Sequence, residues 1–116
     1  SENAERVGRV LARELQRLKD KHPSVGDVRA IGLFSIVELV KDRATREPLA
    51  PYNAKADQMA TMNRINAFFR ENGLYTFIRW NNFFVNPPLC ITEEQLLEGL
   101  AIVDKGLRIA DESLKA

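Results

Sequence analysis

The sequence predicts an α+β fold: a small, mainly antiparallel sheet of three to four strands with helices packed on one face. Two observations carry this prediction. Apolar residues recur at spacings of three and four in three separated stretches, while the segments between them are rich in β-branched and aromatic residues that alternate in polarity. The resulting order of helix, strand, helix, two strands, helix closes most economically if neighbouring strands pair and the helices share one side. The length of 116 residues suits one domain with one core, spanning residues 1–116.

The first helix is expected over Asn3 to Lys21, where Val7, Val10, Leu11, Leu15 and Leu18 form an apolar stripe. His22-Pro23 ends it, because proline disfavours the helical conformation of the residue before it. Val28 to Val40 then reads as one long strand, apolar on both faces. In that reading Ile31, Leu33, Val37 and Leu39 point one way, Phe34, Ile36 and Val40 point the other, and Gly32 marks a bend. Val25 to Arg29 is a candidate for a short strand ahead of it.

Lys41 to Lys55, with Pro48 and Pro51, is expected to be a surface loop, long enough to be a candidate for function or subunit contact. Asp57 is placed to cap a second helix running to Asn72, with Met59, Met62, Ile65, Phe68 and Phe69 as its stripe and Gly73 just past its end. Leu74 to Trp80 and Phe83 to Asn86 read as two strands joined across Asn81-Asn82. Pro87-Pro88 stops the pairing. Thr92-Glu93-Glu94-Gln95 is a capping box for the last helix, Ile91 and Leu96 are spaced as a hydrophobic staple, and Leu96, Leu100, Val103, Leu107, Ala110 and Leu114 form its buried face. Phe34, Ile36, Phe77, Phe83 and Phe84 cannot all point toward the helices, so apolar surface is expected on the far side of the sheet.

Composition removes several classes of function. Seventeen basic and sixteen acidic residues are scattered along the chain and leave a net charge of +1, so neither nucleic acid nor an anionic membrane is expected as a partner. The aromatic segment around Trp80 raises stacking on RNA bases, but the glycine-aromatic pattern of RNA-binding sheets is missing. A lone cysteine, Cys90, excludes an internal disulfide, and the apolar run from Ile31 to Val40 is too short and too interrupted to cross a bilayer. The start, Ser1-Glu2-Asn3-Ala4, has no methionine and no signal pattern, which is expected of a processed chain or of a piece of a longer one. A cytoplasmic setting is expected.

Candidate chemistry is sparse. His22 has no second ligand at metal spacing and is expected at the surface, and Cys90 is expected to be a buried structural thiol. The lysines at 19, 21, 41, 55, 105 and 115 fall at helix ends, in loops or on polar faces, where none is desolvated enough to be a nucleophile. Glu38 reads as a solvated or ion-paired acid. Arg79 lies among Phe77, Ile78, Trp80 and Phe83-Phe84, where a charge needs a partner. It is either a solvated or ion-paired strand residue, or a guanidinium free to hold a carboxylate through two hydrogen bonds.

Taken in order, these residues resemble a known pattern. Val28-Arg29-Ala30-Ile31-Gly32-Leu33-Phe34 and Val37-Glu38-Leu39-Val40 resemble the "RGxGLMxGIEL" stretch of class III aminotransferases, pyridoxal-phosphate enzymes of fold type I. Gly73-Leu74-Tyr75, Arg79, Asn86-Pro87-Pro88-Leu89 and Ile91-Thr92-Glu93-Glu94-Gln95 resemble that family's C-terminal succession of a "GL" turn, an arginine strand, "PPL" and a capped helix. Ala30 and Ile36 replace glycines usual in the family, and the stretch from Arg79 to Pro87 is shorter than in many members.

The resemblance implies the C-terminal small domain of such an enzyme. It implies a large domain of the same chain holding pyridoxal phosphate through a lysine, a homodimer, and a small-molecule amino donor with a 2-oxo acid acceptor such as pyruvate. Arg79 then corresponds to the arginine that binds the substrate carboxylate, and Trp80 to the wall of the substrate entrance. No residue of this chain corresponds to a catalytic or cofactor-binding position, and no metal is implied, so the domain alone is expected to be inactive and to act by closing over the site. The alternative is a free-standing, non-catalytic α+β binding or dimerisation module.

Overall fold

In the computed structural model, which describes residues 1–115, helix α1 spans Glu2–Lys21. The Ser1 Oγ accepts from the Ala4 N–H at its start, Glu2 and Glu5 sit at the positive end of the helix dipole, and Lys19 and Lys21 sit at the negative end. All five residues of its expected stripe are buried. The helix stops at His22, whose backbone is extended ahead of Pro23. Arg43 closes this end, its guanidinium donating to the carbonyls of Lys19, His22 and Val25.

The expected long strand is two. β1 (Val25–Ile31) and β2 (Phe34–Asp42) pair antiparallel, with Ile31 opposite Phe34, and Gly32-Leu33 is the turn between them. Gly32 takes φ +57°, so it reverses the chain rather than bending it. The turn is hard to read in the sequence because Leu33 folds inward and is buried, which carries the apolar pattern through the reversal. Ile31, expected to face the same way as Leu33, is instead 83% exposed. Helix α1 crosses close above: a Cβ on Gly8 would stand 2.8 Å from the Gly32 carbonyl oxygen, so this approach requires glycine in the helix.

The segment expected as a surface loop carries a short strand. Glu47–Pro48 forms a short β3 against β2, and Leu49 and Ala50 are buried behind it. A 3-10 turn (Ala56–Met59) leads into α2 (Ala60–Glu71), and its start is made by Lys55 and Gln58 rather than Asp57. The Lys55 N–H donates to Gln58 Oε1 and the Gln58 N–H donates to the Lys55 carbonyl. Gly73, at φ +82°, ends α2 as expected, and the Leu74 N–H reaches back to the Phe69 carbonyl.

β4 (Phe77–Arg79) and β5 (Asn82–Val85) complete an antiparallel sheet of order β1-β2-β5-β4, with β3 also on β2. This makes five strands where three to four were expected. Helix α3 (Glu93–Ser113) has the expected reciprocal box, with Gln95 N–H donating to Thr92 Oγ1 and Thr92 N–H to Gln95 Oε1. Ser35, Val37, Leu39, Phe83 and Val85 face the helices and are buried. On the other face stand Phe34, Ile36 and Glu38 of β2, Asn82 and Phe84 of β5, and Phe77 and Arg79 of β4. Phe84 meets Phe34 at 6.1 Å and Phe77 at 5.5 Å, edge to face, and no helix among the described residues covers them.

Candidate functional site

Arg79 stands at the polar end of that uncovered face. The pairing Arg79↔Asn82 closes the β4–β5 hairpin, so the two-residue turn is Trp80-Asn81, one residue earlier than the asparagine pair expected from sequence. The residue that takes the left-handed conformation is Trp80, at φ +52°. A bulky residue there is an outlier costing about 1–2 kcal/mol, and such conformations persist where the surroundings hold them. Two hydrogen bonds hold this one from the next residue: the Leu39 N–H donates to the Asn81 carbonyl at 2.8 Å, and Asn81 Nδ2 donates to the Leu39 carbonyl at 2.9 Å.

The left-handed turn takes the indole out of the strand alternation and under the neighbouring cation. The Arg79 guanidinium carbon lies 4.8 Å from the centre of the Trp80 ring, within cation–π range. Among the described residues Arg79 is exposed and in no ion pair, which leaves its donors available. Glu38, in the same cross-strand row, pairs instead with Arg46 at 3.6 Å. Between them Asn82 has its Oδ1 buried without a hydrogen-bond partner, an acceptor beside Arg79 that the sequence marked only as a turn residue.

The side chain that sequence reasoning missed is Tyr52. It arrives from the segment after β3, and its ring packs on Trp80 with centroids 4.4 Å apart and planes inclined at 53°. That segment is pinned by the Leu49 N–H, which donates at 3.1 Å to the same Leu39 carbonyl that receives Asn81. Tyr52 carried no signal because its partner lies in another stretch of chain.

Two other candidates are corrected. His22 is buried, 2% exposed, and its Nε2 and Nδ1 meet Asp104 Oδ1 at 2.6 Å and Asp111 Oδ2 at 2.5 Å. Asp111 also accepts from Ser24 N–H and Oγ–H, so the cluster ties the end of α1 to α3. Partial burial raises the Asp104 carboxyl, but hydrogen bonds and charge from Lys21 and His22 outweigh it and hold it below the usual carboxylate range. Cys90, expected to be buried, is exposed because it occupies the turn between Pro88 and Ile91, outside the core.

Among the described residues no cluster of His, Cys, Asp or Glu can hold a metal, and no helix is long and apolar enough to cross a membrane. The lysines are exposed or half-buried, and several are ion-paired: Lys19 with Asp27, Lys21 with Asp104, Lys41 with Glu47 and Lys115 with Glu112. None sits in a dry pocket where an amine could hold a carbonyl cofactor covalently.

The chain matches the aminotransferase class-III family model over residues 1–107. It is 36% identical over 112 residues to a taurine–pyruvate aminotransferase of Bilophila wadsworthia, covering 96% of this chain and 24% of that protein. It is 34% identical over 108 residues to ethanolamine-phosphate phospho-lyase homolog 1 of Caenorhabditis elegans, covering 93% and 22%. Its fold superimposes with a TM-score of 0.89 and 39% identity on taurine:2-oxoglutarate aminotransferase from Bifidobacterium kashiwanohense, solved with PLP and glutamate, covering 97% of this chain and 24% of that one. The chain thus spans about a quarter of the length of the proteins it matches.

Proposed function

This chain belongs to the class III aminotransferase family, and on that premise we propose that it is the C-terminal small domain of a pyridoxal-phosphate-dependent transaminase. The complete protein transfers an amino group from an amine or amino acid to a 2-oxo acid such as pyruvate. The cofactor supplies the amino-group chemistry, and it is held by a large domain of the same polypeptide, in a homodimer. The lysines of this chain do not fit that role, as their exposure and ion pairs argue. Its own part is to close over the site, exclude water and present Arg79 to the substrate carboxylate, with Trp80 as the wall beside it.

The observation that carries this reading is an arginine without an ion pair among the described residues, at the end of β4 and stacked on the strained Trp80 turn of an uncovered sheet face. Arg43, by contrast, is held by backbone carbonyls. In the complete enzyme, Arg79→Ala should raise KM for pyruvate about ten- to a hundredfold, the range for hydrogen bonds to charged groups, while KM for an uncharged aldehyde stays near its original value. Equal effects on both acceptors remove Arg79 from the substrate site. The same assay, run with an amino-alcohol phosphate and read for released phosphate, tests the phospho-lyase chemistry named for the nematode relative. The intact mass of the native product separates this reading from a free-standing module. A polypeptide several-fold heavier than 13.2 kDa supports the enzyme, and one of that size overturns it.

A further inference from the structure

We propose that Tyr52 is a positioning residue for the Arg79 clamp, acting through the indole of Trp80 on anionic substrates alone. The inference rests on the reading of Arg79 given above. A guanidinium on an exposed hairpin has long, flexible reach, and fixing it in one direction before an anion arrives removes an ordering cost from binding. The protein has few means to fix it, since no ion pair among the described residues takes Arg79 and its strand ends at that residue. The surface it does have is the Trp80 ring, at 4.8 Å.

The indole therefore sets where the cation rests, and something must set the indole. Its backbone is in the left-handed region, where the ordinary rotamer preferences of a strand do not apply. Tyr52 does this from outside the hairpin, with its ring 4.4 Å from the indole centre. The two arms cannot drift apart, because the Leu39 carbonyl accepts from Leu49 N–H at the root of the Tyr52 segment and from Asn81 Nδ2 in the Trp80 turn. Tyr52, Trp80 and Arg79 form one relay, whose last member holds the charge of the ligand: a planar or tetrahedral anion with at least two oxygens on one atom, the shape a guanidinium edge recognises.

Tyr52 is 75% exposed, so its removal leaves the core untouched. The test uses the complete enzyme with pyruvate and with propanal as acceptors. Tyr52→Ala should raise KM for pyruvate about two- to tenfold, the scale of one aromatic contact, with kcat within about twofold and KM for propanal unmoved. Tyr52→Phe keeps the ring and should behave as the parent enzyme. Three results overturn the proposal while Arg79→Ala remains selective for pyruvate: no change in Tyr52→Ala, an equal rise for both acceptors, or a loss in Tyr52→Phe as large as in Tyr52→Ala. If Arg79→Ala is itself unselective, the clamp assignment fails first and the relay falls with it, so the two failures are told apart by one additional variant.

Discussion

The two hairpins of the sheet that turn on only two residues use the same backbone conformation with opposite residues. At the β1–β2 turn Gly32 takes φ +57°, and at the β4–β5 turn Trp80 takes φ +52°. Glycine reaches that region without steric cost, and its turn is constrained from above, where α1 lies so close that Gly8 has no room for a Cβ. Tryptophan is strained at the same angle, although nothing in the chain reversal requires an aromatic ring. The difference teaches where to look for function. One turn has the residue its geometry prefers, and the other keeps a residue that its geometry opposes, beside a cation that no carboxylate among the described residues satisfies.

The comparison breaks most forcefully at the glycine turn. Gly8→Val places methyl groups against the Gly32 peptide and should cost about 3 kcal/mol by overpacking, read as a lower denaturant midpoint; an unchanged midpoint would show that α1 can lift off the turn freely. A smaller effect comes from exchanging the two residue preferences. Gly32→Ala meets no atom within 4 Å, so its expected cost of about 1 kcal/mol is purely conformational and should leave acceptor KM values unmoved. Trp80→Gly should do the converse. Relief of strain offsets lost packing to within about 1 kcal/mol, while selectivity for pyruvate over an uncharged aldehyde collapses. If Trp80→Gly keeps its selectivity, the contrast between the turns has no functional content.

The smallest effect lies at the His22 cluster. Asp104 is lowered below its ordinary 3.8, so its contribution to stability is fully present above that value and is lost as pH falls through the folded-state value. Denaturant midpoints of the parent and Asp104→Asn should run parallel near neutrality and converge below about pH 4, where the parent loses what the variant never had. Curves that stay parallel into acid would mean that Lys21 and His22 do not hold this carboxylate.

What could be read from the sequence follows from how far apart the determinants lie. Helices α1 and α3 were legible almost to the residue, because caps, periodicity and stop signals act within a few positions, and Gly73 announced the end of α2 in the same way. The Gly32-Leu33 turn was hidden by a buried leucine that continued the apolar pattern. The second hairpin slipped by one residue because no local rule nominates tryptophan for a left-handed angle, although Arg79 still emerged as an unexplained charge among aromatics. His22 was misplaced for another reason: the carboxylates that permit its burial come from α3, at the far end of the sequence. Tyr52 was illegible because its significance lies in one contact with a distant ring.

The hydrogen bond from Leu49 to the Leu39 carbonyl also has a consequence in chain entropy. The segment carrying Tyr52 is rooted at Arg43 on the end of α1 and again at Lys55 ahead of α2, and Leu49 divides what lies between into two short spans. The entropic cost of closing a flexible loop rises only slowly with length, by about 0.6 kcal/mol per doubling, but a free span of this size would leave a tip residue sampling many positions. With a tether near its middle, the tip explores far less space. An exposed tyrosine on an irregular segment is thereby kept to one place beside the Trp80 ring.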